Sequence, residues 1–264
     1  MTVTSVGSWV RRFHTAPEDA VRLVCFPHAG GAATWYFPLS RALMPAAGVL
    51  AIQYPGRQDR RAERCVDDLG ELADLVAREL AAWTDRPFAL FGHSMGATVA
   101  YEVGRRLERA GVMPLGLFAS AGRAPTRWRP EMLHRRDDEG LVAALRSLSG
   151  TDTSLLGDEE LMRMVLPAIR ADYRAVETYR HTGTQRLTCP IHVLAGDSDE
   201  VTTLDEARAW HNHTTAPCEV STFAGGHFYL TEHLPAVTST ITEQLTGWLR
   251  TNRPTAHGTT RFDA

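Results

Sequence analysis

The sequence predicts an α/β fold, in which a mostly parallel central sheet is flanked by helices. Short apolar runs of strand length alternate along the chain with stretches of helical periodicity. Runs that are apolar throughout are typical of strands buried on both faces, as in parallel sheets. In such sheets ligands bind beyond the carboxyl ends of the strands. We therefore expect the functional residues in the loops that follow the strands.

Six segments have the length and composition of buried strands. They are Val21–Phe26, Gly48–Gln53, Phe88–Phe91, Leu115–Ala119, Ile191–Ala195 and Glu219–Phe223. The clearest helical pattern runs from Asp68 to Trp83, where apolar side chains recur on one stripe of a helix. These side chains are Leu69, Leu72, Val76 and Leu80.

One interval, residues 123–188, breaks the alternation. It contains no strand pattern but two helical patterns, one near Asp138–Leu148 and one over Asp158–Tyr179, the second interrupted by Pro167. An insert of this length above a sheet is typical of a helical lid. We predict one domain of 264 residues, with a core at about 20–122 and 189–250. The tails, about 1–15 and 252–264, show little periodicity and are predicted to be flexible.

Composition excludes several classes of function. A formal charge of −3 gives no electrostatic reason to expect nucleic acid binding. No run approaches the roughly 18 apolar residues that a membrane span requires, and the N-terminus lacks a signal-peptide pattern. The cysteines form no metal-ligand spacing and are expected as free thiols in a reducing compartment; they are Cys25, Cys65, Cys189 and Cys218. We expect a cytoplasmic protein that does not bind membranes.

The pentapeptide GHSMG at 92–96 predicts a nucleophilic serine. It directly follows the apolar run Phe88–Phe91 and opens a helical segment, 97–109. A strand, a tight turn and a helix in this order form the nucleophile elbow of serine hydrolases, in which flanking glycines allow close passage of the backbone. Ser94 is the predicted nucleophile; the alternative is a glycine-rich turn with an incidental serine.

A serine hydroxyl needs a base and an orienting acid, which follow it in the chain order acid, then histidine. His227 comes directly after the last predicted strand, in GGHF at 225–228, and is the candidate base. The acid is expected in the turn GDSDE at 196–200. We choose Asp199, which lies beyond the strand tip; the alternative is Asp197, otherwise a turn former.

An oxyanion hole requires two backbone N–H groups directed at the developing negative charge. Met95, the residue after the nucleophile, is one expected donor. The turn FPHAGG at 26–31 follows the first predicted strand, and Ala29 is the other expected donor. His28 in the same turn is a candidate substrate contact.

No metal site is predicted. His211 and His213 are two residues apart, a spacing that points them to different faces of a helix.

Several motifs in order resemble the type II thioesterases of polyketide and nonribosomal peptide biosynthesis, which have the α/β-hydrolase fold. They are FPHAGG at 26–31, QYPGR at 53–57, GHSMG at 92–96 and GGHF at 225–228, and LPAIRADY at 166–173 resembles the lid of that family. The similarity covers about residues 20–250.

The resemblance implies hydrolysis of acyl groups from the phosphopantetheine thiol of acyl or peptidyl carrier proteins, which edits stalled or misprimed synthases. It implies a triad of Ser94, Asp199 and His227, with Met95 and Ala29 as oxyanion donors. It implies no cofactor beyond the phosphopantetheine that the substrate carries. The alternatives are a general carboxylesterase or acyltransferase with the same triad and a non-catalytic carrier-binding module.

Apolar lid residues are candidates for the walls of an acyl tunnel, with Leu145 and Met164 as substrate contacts. The set comprises Leu141, Val142, Leu145, Leu148, Leu161, Met164, Val165 and Ile169. The alternative is that they only pack the lid onto the sheet.

A cluster of arginines is a candidate docking surface for an acidic carrier protein, with Arg127 as a substrate contact. Its members are Arg57, Arg60, Arg61, Arg64, Arg123, Arg127, Arg129, Arg135 and Arg136. The alternative is a solvated face, balanced by Glu63, Glu131, Asp137 and Asp138.

Overall fold

The computed structural model describes residues 4–6, 8–147 and 159–252, and an eight-stranded sheet forms its centre. The strands are β1 (Thr4–Val6), β2 (Val10–Arg12), β3 (Val21–Phe26), β4 (Ala47–Ile52), β5 (Phe88–His93), β6 (Leu117–Ser120), β7 (Ile191–Gly196) and β8 (Cys218–Phe223). Their spatial order is β1-β2-β4-β3-β5-β6-β7-β8. Strands β3 to β8 are parallel, so their carboxyl ends share one edge. The predicted α/β class is confirmed, and all six predicted strands are present, with ends within two residues of the prediction.

Helices cover both faces of the sheet. They are α1 (Phe37–Ala42), α2 (Leu69–Leu80), α3 (Met95–Arg109), α4 (Asp138–Ser147), α5 (Glu159–Thr178), α6 (Leu204–Arg208), α7 (Tyr229–Glu232) and α8 (Leu234–Thr251). The apolar faces of α2 and α3 pack on one side of the sheet, and those of α1 and α8 pack on the other. Helix α2 is the predicted one, and the carboxylate of Asp68 caps it by accepting from Glu71 N–H at 2.8 Å.

The prediction that the segment 1–15 is a flexible tail is wrong for its residues 4–6 and 10–12, which form strands. Strands β1 and β2 form an antiparallel hairpin, and β2 pairs with β4 at the edge of the sheet. Trp9 is buried, and the guanidinium of Arg60 stacks 4.2 Å from its ring centroid. Three-residue strands are too short to show a period, so pairing with β4 defines them more than their own sequence does. The predicted C-terminal tail lies outside the described residues from 253 onward.

The insert at 123–188 contains the two helices α4 and α5, which are joined through an apolar cluster of their own, and turns and irregular segments on either side. Residues 148–158, which include part of both predicted helices, lie outside the described residues. Pro167 does not interrupt α5 as predicted. Pro167 lies on the exposed face of this helix. Within the described ranges, no helix is long and apolar enough to span a membrane.

Candidate active site

Ser94 sits in a strained turn between β5 and α3. Its φ of 55° and ψ of −121° lie outside the regions that most residues adopt. A Cβ on Gly92 would lie 2.1 Å from the carbonyl oxygen of Gly96, and one on Gly96 would lie 2.0 Å from that of Phe26. Only glycine fits at both positions, and the close packing that requires it holds Ser94 in its turn at the end of β5.

His227 joins the other two members of the predicted triad. Its Nε2 lies 2.9 Å from Ser94 Oγ, and its Nδ1 lies 2.9 Å from Asp199 Oδ2. Because a carboxylate only accepts, Nδ1 carries the proton and Nε2 is left to accept from the serine hydroxyl. All the atoms for general-base activation of a serine are therefore in contact.

Asp199 is oriented by its second oxygen. Oδ1 accepts from the backbone N–H groups of Val201 at 2.8 Å and Thr202 at 3.0 Å. These bonds fix the carboxylate, which is almost fully buried, with Oδ2 aimed at the imidazole.

Asp197, the alternative acid, does not contact His227. Its exposed carboxylate accepts from the Ser198 hydroxyl at 2.8 Å and from Gly225 N–H at 3.0 Å. These hydrogen bonds hold the pKa of Asp197 below its usual value. Asp197 therefore ties the turn after β7 to the loop that carries His227.

The candidate oxyanion donors come from neighbouring strands. Met95 is the first residue of α3, so its N–H has no partner within the helix. Ala29 lies in the turn after β3, which pairs with β5 in the register that aligns Phe26 with Gly92. Ala29, Met95 and Ser94 line the same pocket.

His28 lies on the wall of this pocket as a neutral ring. Its ring packs edge-on against Trp35 and Phe228. Burial, reinforced by the nearby His227 and Arg57, lowers the pKa of His28 to about 3. His28 therefore contributes an uncharged imidazole to the pocket at physiological pH.

The pocket has a volume of about 400 Å³ and extends from Ser94 under the lid. Leu145 of α4 lines it, as do Met162, Val165 and Ile169 of α5. Met164 does not line it: its side chain is 59% exposed on the outer face of α5. The prediction that Met164 contacts the substrate is therefore wrong, and Met162 takes its place as the candidate tunnel residue. Leu148 lies outside the described residues.

Helical spacing separates these two methionines. Pocket-lining side chains of α5 recur at intervals of three or four residues, on one stripe of the helix. The stripe consists of Met162, Val165, Ile169, Tyr173 and Val176, with Glu177 beside its carboxyl-terminal end. Met164 does not lie on this stripe. When α5 is treated as one continuous helix through Pro167, its spacing indicates Met162 as the methionine that lines the pocket.

The arginine cluster divides in two. Arg57 and Arg60 are buried and paired with Asp172 and Glu63, so the prediction that they belong to a surface patch is wrong. Arg123 and Arg129 are half-buried, and the others are exposed. Of those at the pocket, Arg123 pairs with Glu131 and Arg129 with Glu206. Arg127 is exposed at the pocket and has no carboxylate partner among the residues described.

His211 and His213 point apart, as their spacing predicts. His211 is exposed beside the Arg208 carbonyl, whereas His213 is buried against Thr126. In the described part of the chain, no three His, Cys, Asp or Glu side chains cluster as metal ligands.

A serine, histidine and aspartate joined at the carboxyl edge of a parallel sheet define a serine hydrolase of the α/β-hydrolase class. The family follows from comparison: the model of the Thioesterase domain matches residues 21–245, and the chain belongs to this family. It is a hydrolase that acts on thioesters.

Several proteins similar to this chain are themselves named thioesterases. The probable cadicidin biosynthesis thioesterase of Streptomyces griseus is 52% identical over 91% of this chain and 67% of its own length. Thioesterase PikA5 of Streptomyces venezuelae is 48% identical over 90% of this chain and 86% of its own length. The structure of the type II thioesterase BorB, from the borrelidin biosynthetic cluster, superposes with a TM-score of 0.87 at 52% identity, covering 92% of this chain and 99% of that one.

Proposed function

We propose that this chain is an editing, type II thioesterase, which hydrolyses acyl groups from the phosphopantetheine thiol of acyl or peptidyl carrier proteins. The observation that carries the proposal is the hydrogen-bonded chain Ser94–His227–Asp199 at the floor of an apolar pocket. The biosynthetic names of the relatives support the class of substrate. Two of them are named for the biosynthesis of cadicidin and of borrelidin.

Acylation begins when Ser94 Oγ attacks the thioester carbonyl while His227 Nε2 takes the hydroxyl proton. Asp199 stabilises the imidazolium that forms. The N–H groups of Met95 and Ala29 stabilise the oxyanion, and each such donor contributes roughly 2.7–4 kcal/mol. The carbon–sulfur bond then breaks, and His227 returns the proton to the departing thiol.

Deacylation repeats these steps with water as the nucleophile. His227 accepts a proton from water as it attacks the Ser94 ester, and the proton returns to Ser94 Oγ when the carbon–oxygen bond breaks. The products are a carboxylic acid and the free carrier thiol. The cycle needs no cofactor of its own, because the substrate carries the phosphopantetheine.

The lid side of the pocket receives the acyl chain in this proposal. Leu145, Met162, Val165 and Ile169 present apolar side chains there, and burial of each methylene group contributes about 0.8 kcal/mol. Methionine adapts its shape, which suits an editing enzyme that accepts varied chains.

The test compares three substrates that share one acyl group: an acyl carrier protein, an acyl-pantetheine and a p-nitrophenyl ester. We expect kcat/KM to be highest for the carrier, by about tenfold or more over acyl-pantetheine. Ser94→Ala, which retains the pocket, is the control for background hydrolysis. A preference for the oxygen ester would instead identify a general carboxylesterase, and product that carries a second acceptor would identify an acyltransferase.

The proposed partner is an acidic carrier protein that approaches the pocket mouth, where Arg127 is exposed. Arg127→Glu should lower kcat/KM for the acyl carrier protein by about threefold to tenfold and weaken its salt dependence. Rates with acyl-pantetheine should not change. Arg61→Glu makes the same charge change at an exposed arginine outside the pocket. Equal effects of the two variants would exclude a specific role for Arg127.

We also propose the cytoplasm as the compartment of the enzyme. The cysteines Cys25, Cys65, Cys189 and Cys218 are free thiols, which suits a reducing environment.

A further inference from the structure

Two segments of the chain carry family-like motifs that the mechanism above does not use: 53–57, after β4, and 166–173, in α5. They are remote in sequence, yet Arg57 of the first and Asp172 of the second meet as a buried pair. Arg57 Nη1 donates to Asp172 Oδ2 at 2.6 Å, and Arg57 Nη2 donates to Asp172 Oδ1 at 2.8 Å. The side chains are 7% and 2% exposed, which excludes water from most of this bidentate contact.

The same two side chains hold the turn that carries Ala29. Gly30 N–H donates to Asp172 Oδ2 at 2.8 Å. Arg57 Nη1 also donates to the carbonyl of Gly31 at 3.1 Å. The carboxylate of Asp172 therefore binds the turn at one N–H group, and the guanidinium of Arg57 binds it at one carbonyl group.

The geometry of the turn shows what these two hydrogen bonds fix. Gly31 N–H donates to His28 C=O at 2.9 Å, which closes a four-residue turn, and Gly30 has the positive φ of 76° that a type II turn requires at its third residue. A type I and a type II turn differ by a flip of the central peptide, which here joins Ala29 to Gly30. The bond from Gly30 N–H to Asp172 holds this peptide in the orientation observed.

The lid packs directly on this turn. A Cβ on Gly30 would lie 2.8 Å from Cγ1 of Ile169, one helical turn before Asp172. Burial opposes the charge on Arg57, but the attraction of Asp172 outweighs it and raises the pKa of the guanidinium. Arg57 therefore stays charged, and the contacts of Arg57 and Asp172 connect α5, the 53–57 loop and the turn.

We propose that Arg57 and Asp172 are positioning residues for the oxyanion hole: they hold the Ala29 turn in register with Ser94 and couple it to the lid. Neither side chain needs to touch the substrate. The inference rests on the proposed function in one respect, namely that Ala29 N–H stabilises the oxyanion of thioester hydrolysis.

The test uses Asp172→Asn, which keeps the shape of the side chain but removes its charge, and Arg57→Lys, which keeps the charge but loses the two-pronged contact. Removal of an oxyanion donor costs about 10²–10³ in kcat, and a displaced donor should cost less. We expect kcat for acyl-pantetheine to fall by about tenfold to hundredfold in Asp172→Asn and by less in Arg57→Lys. KM should stay within about twofold.

A second readout separates positioning from general support of the fold. An alkyl trifluoromethyl ketone adds to Ser94 and places an oxyanion in the hole, so its affinity should fall in proportion to kcat in both variants. Glu63→Gln is the matched control, because Glu63 pairs with the buried Arg60 in the same loop without contact to the turn. It should leave kcat and inhibitor affinity unchanged.

The outcomes distinguish this inference from the proposed function. Wild-type protein that hydrolyses no thioester removes the proposed function. Active wild-type protein with folded variants of unchanged kcat, or of unchanged affinity for the ketone, overturns the positioning role alone. Thermal unfolding shows which variants are folded. If Asp172→Asn does not fold, kcat and ketone affinity of Arg57→Lys test the positioning role instead.

Discussion

The loops at the carboxyl ends of the strands and the lid are fixed by different means. At the strand ends, backbone groups approach so closely that the residue type is dictated: neither Gly92 nor Gly96 leaves space for a Cβ. In the lid, apolar side chains line a pocket that residues of similar size can fill. The comparison teaches that close main-chain packing fixes the turn of the nucleophile, whereas side-chain volume shapes the lid pocket.

The largest effect is expected for Gly96→Ala, which tests the main-chain packing around the nucleophile. The new Cβ would meet the backbone carbonyl of Phe26, which has no flexible end to move aside. We expect the free energy of unfolding to fall by about 4 kcal/mol or more, with loss of activity. Gly247→Ala in α8 is the control, since nothing lies within 4 Å of its new methyl group, and it should gain up to about 1 kcal/mol. Denaturant unfolding measures both, and equal stability of the two variants would refute the steric argument.

Next in size is the contrast between the two carboxylates after β7. Asp199→Asn should lower kcat by about 10⁴, because an amide does not stabilise the imidazolium of His227 and favours the wrong tautomer. Asp197→Asn should change kcat by no more than about twofold, since its side chain is exposed and does not contact His227. Steady-state kinetics with acyl-pantetheine measure kcat for both variants. A larger loss of kcat in Asp197→Asn than in Asp199→Asn would identify Asp197 as the acid of the triad.

A smaller effect is expected in the lid. Met162→Trp should shift the ratio of kcat/KM for butanoyl over dodecanoyl thioesters by about tenfold to hundredfold, because the larger indole reduces the volume of the pocket that Met162 lines. Met164→Trp makes the same change on the exposed face of α5 and should leave the ratio unaltered. Chain-length profiles that change equally in both variants would remove Met162 from the tunnel.

The most gradual effect concerns pH. The pKa of His28 is about 3 in the folded protein, against an ordinary value of 6.5. As pH falls below 6.5, the unfolded chain therefore takes up a proton that the folded one does not, and stability decreases by up to about 1.4 kcal/mol per pH unit for this group. In His28→Gln this contribution disappears, so its unfolding free energy should depend less steeply on pH between about 4 and 6. Parallel curves for the variant and the wild type would contradict the assignment.

Local sequence was sufficient for the fold class and for the order of the triad. The apolar runs of β3 to β7 predict a buried parallel sheet, and the elbow is encoded within five consecutive residues, 92–96. The prediction that β8 is buried on both faces is wrong, because β8 is an edge strand with exposed and half-buried side chains. The chain order of serine, acid and histidine then left two candidate carboxylates. Hydrogen bonds from Val201 and Thr202, which turn Asp199 toward His227, decided between them.

Features that depend on distant partners were missed. The hairpin β1–β2 takes its form from β4, some forty residues onward, and not from a period of its own. Arg57 looks like a surface cation in sequence because its partner, Asp172, lies 115 residues away. The side of α5 that faces the pocket likewise depends on how the whole helix sits above the sheet.

The strand order sets how freely the molecule can change in evolution. The oxyanion turn and the elbow follow neighbouring strands, β3 and β5, which hydrogen bonds keep about 4.8 Å apart, whereas the lid is inserted after β6. Insertions and deletions around α4 therefore leave the spacing of the reacting groups untouched. The stretch of α5 that contains Ile169 and Asp172 lacks this freedom, because its length and phase are tied to the turn below it. Changes around α4 can therefore alter the lining of the pocket, while the stretch of α5 at 169–172 stays tied to the Ala29 turn.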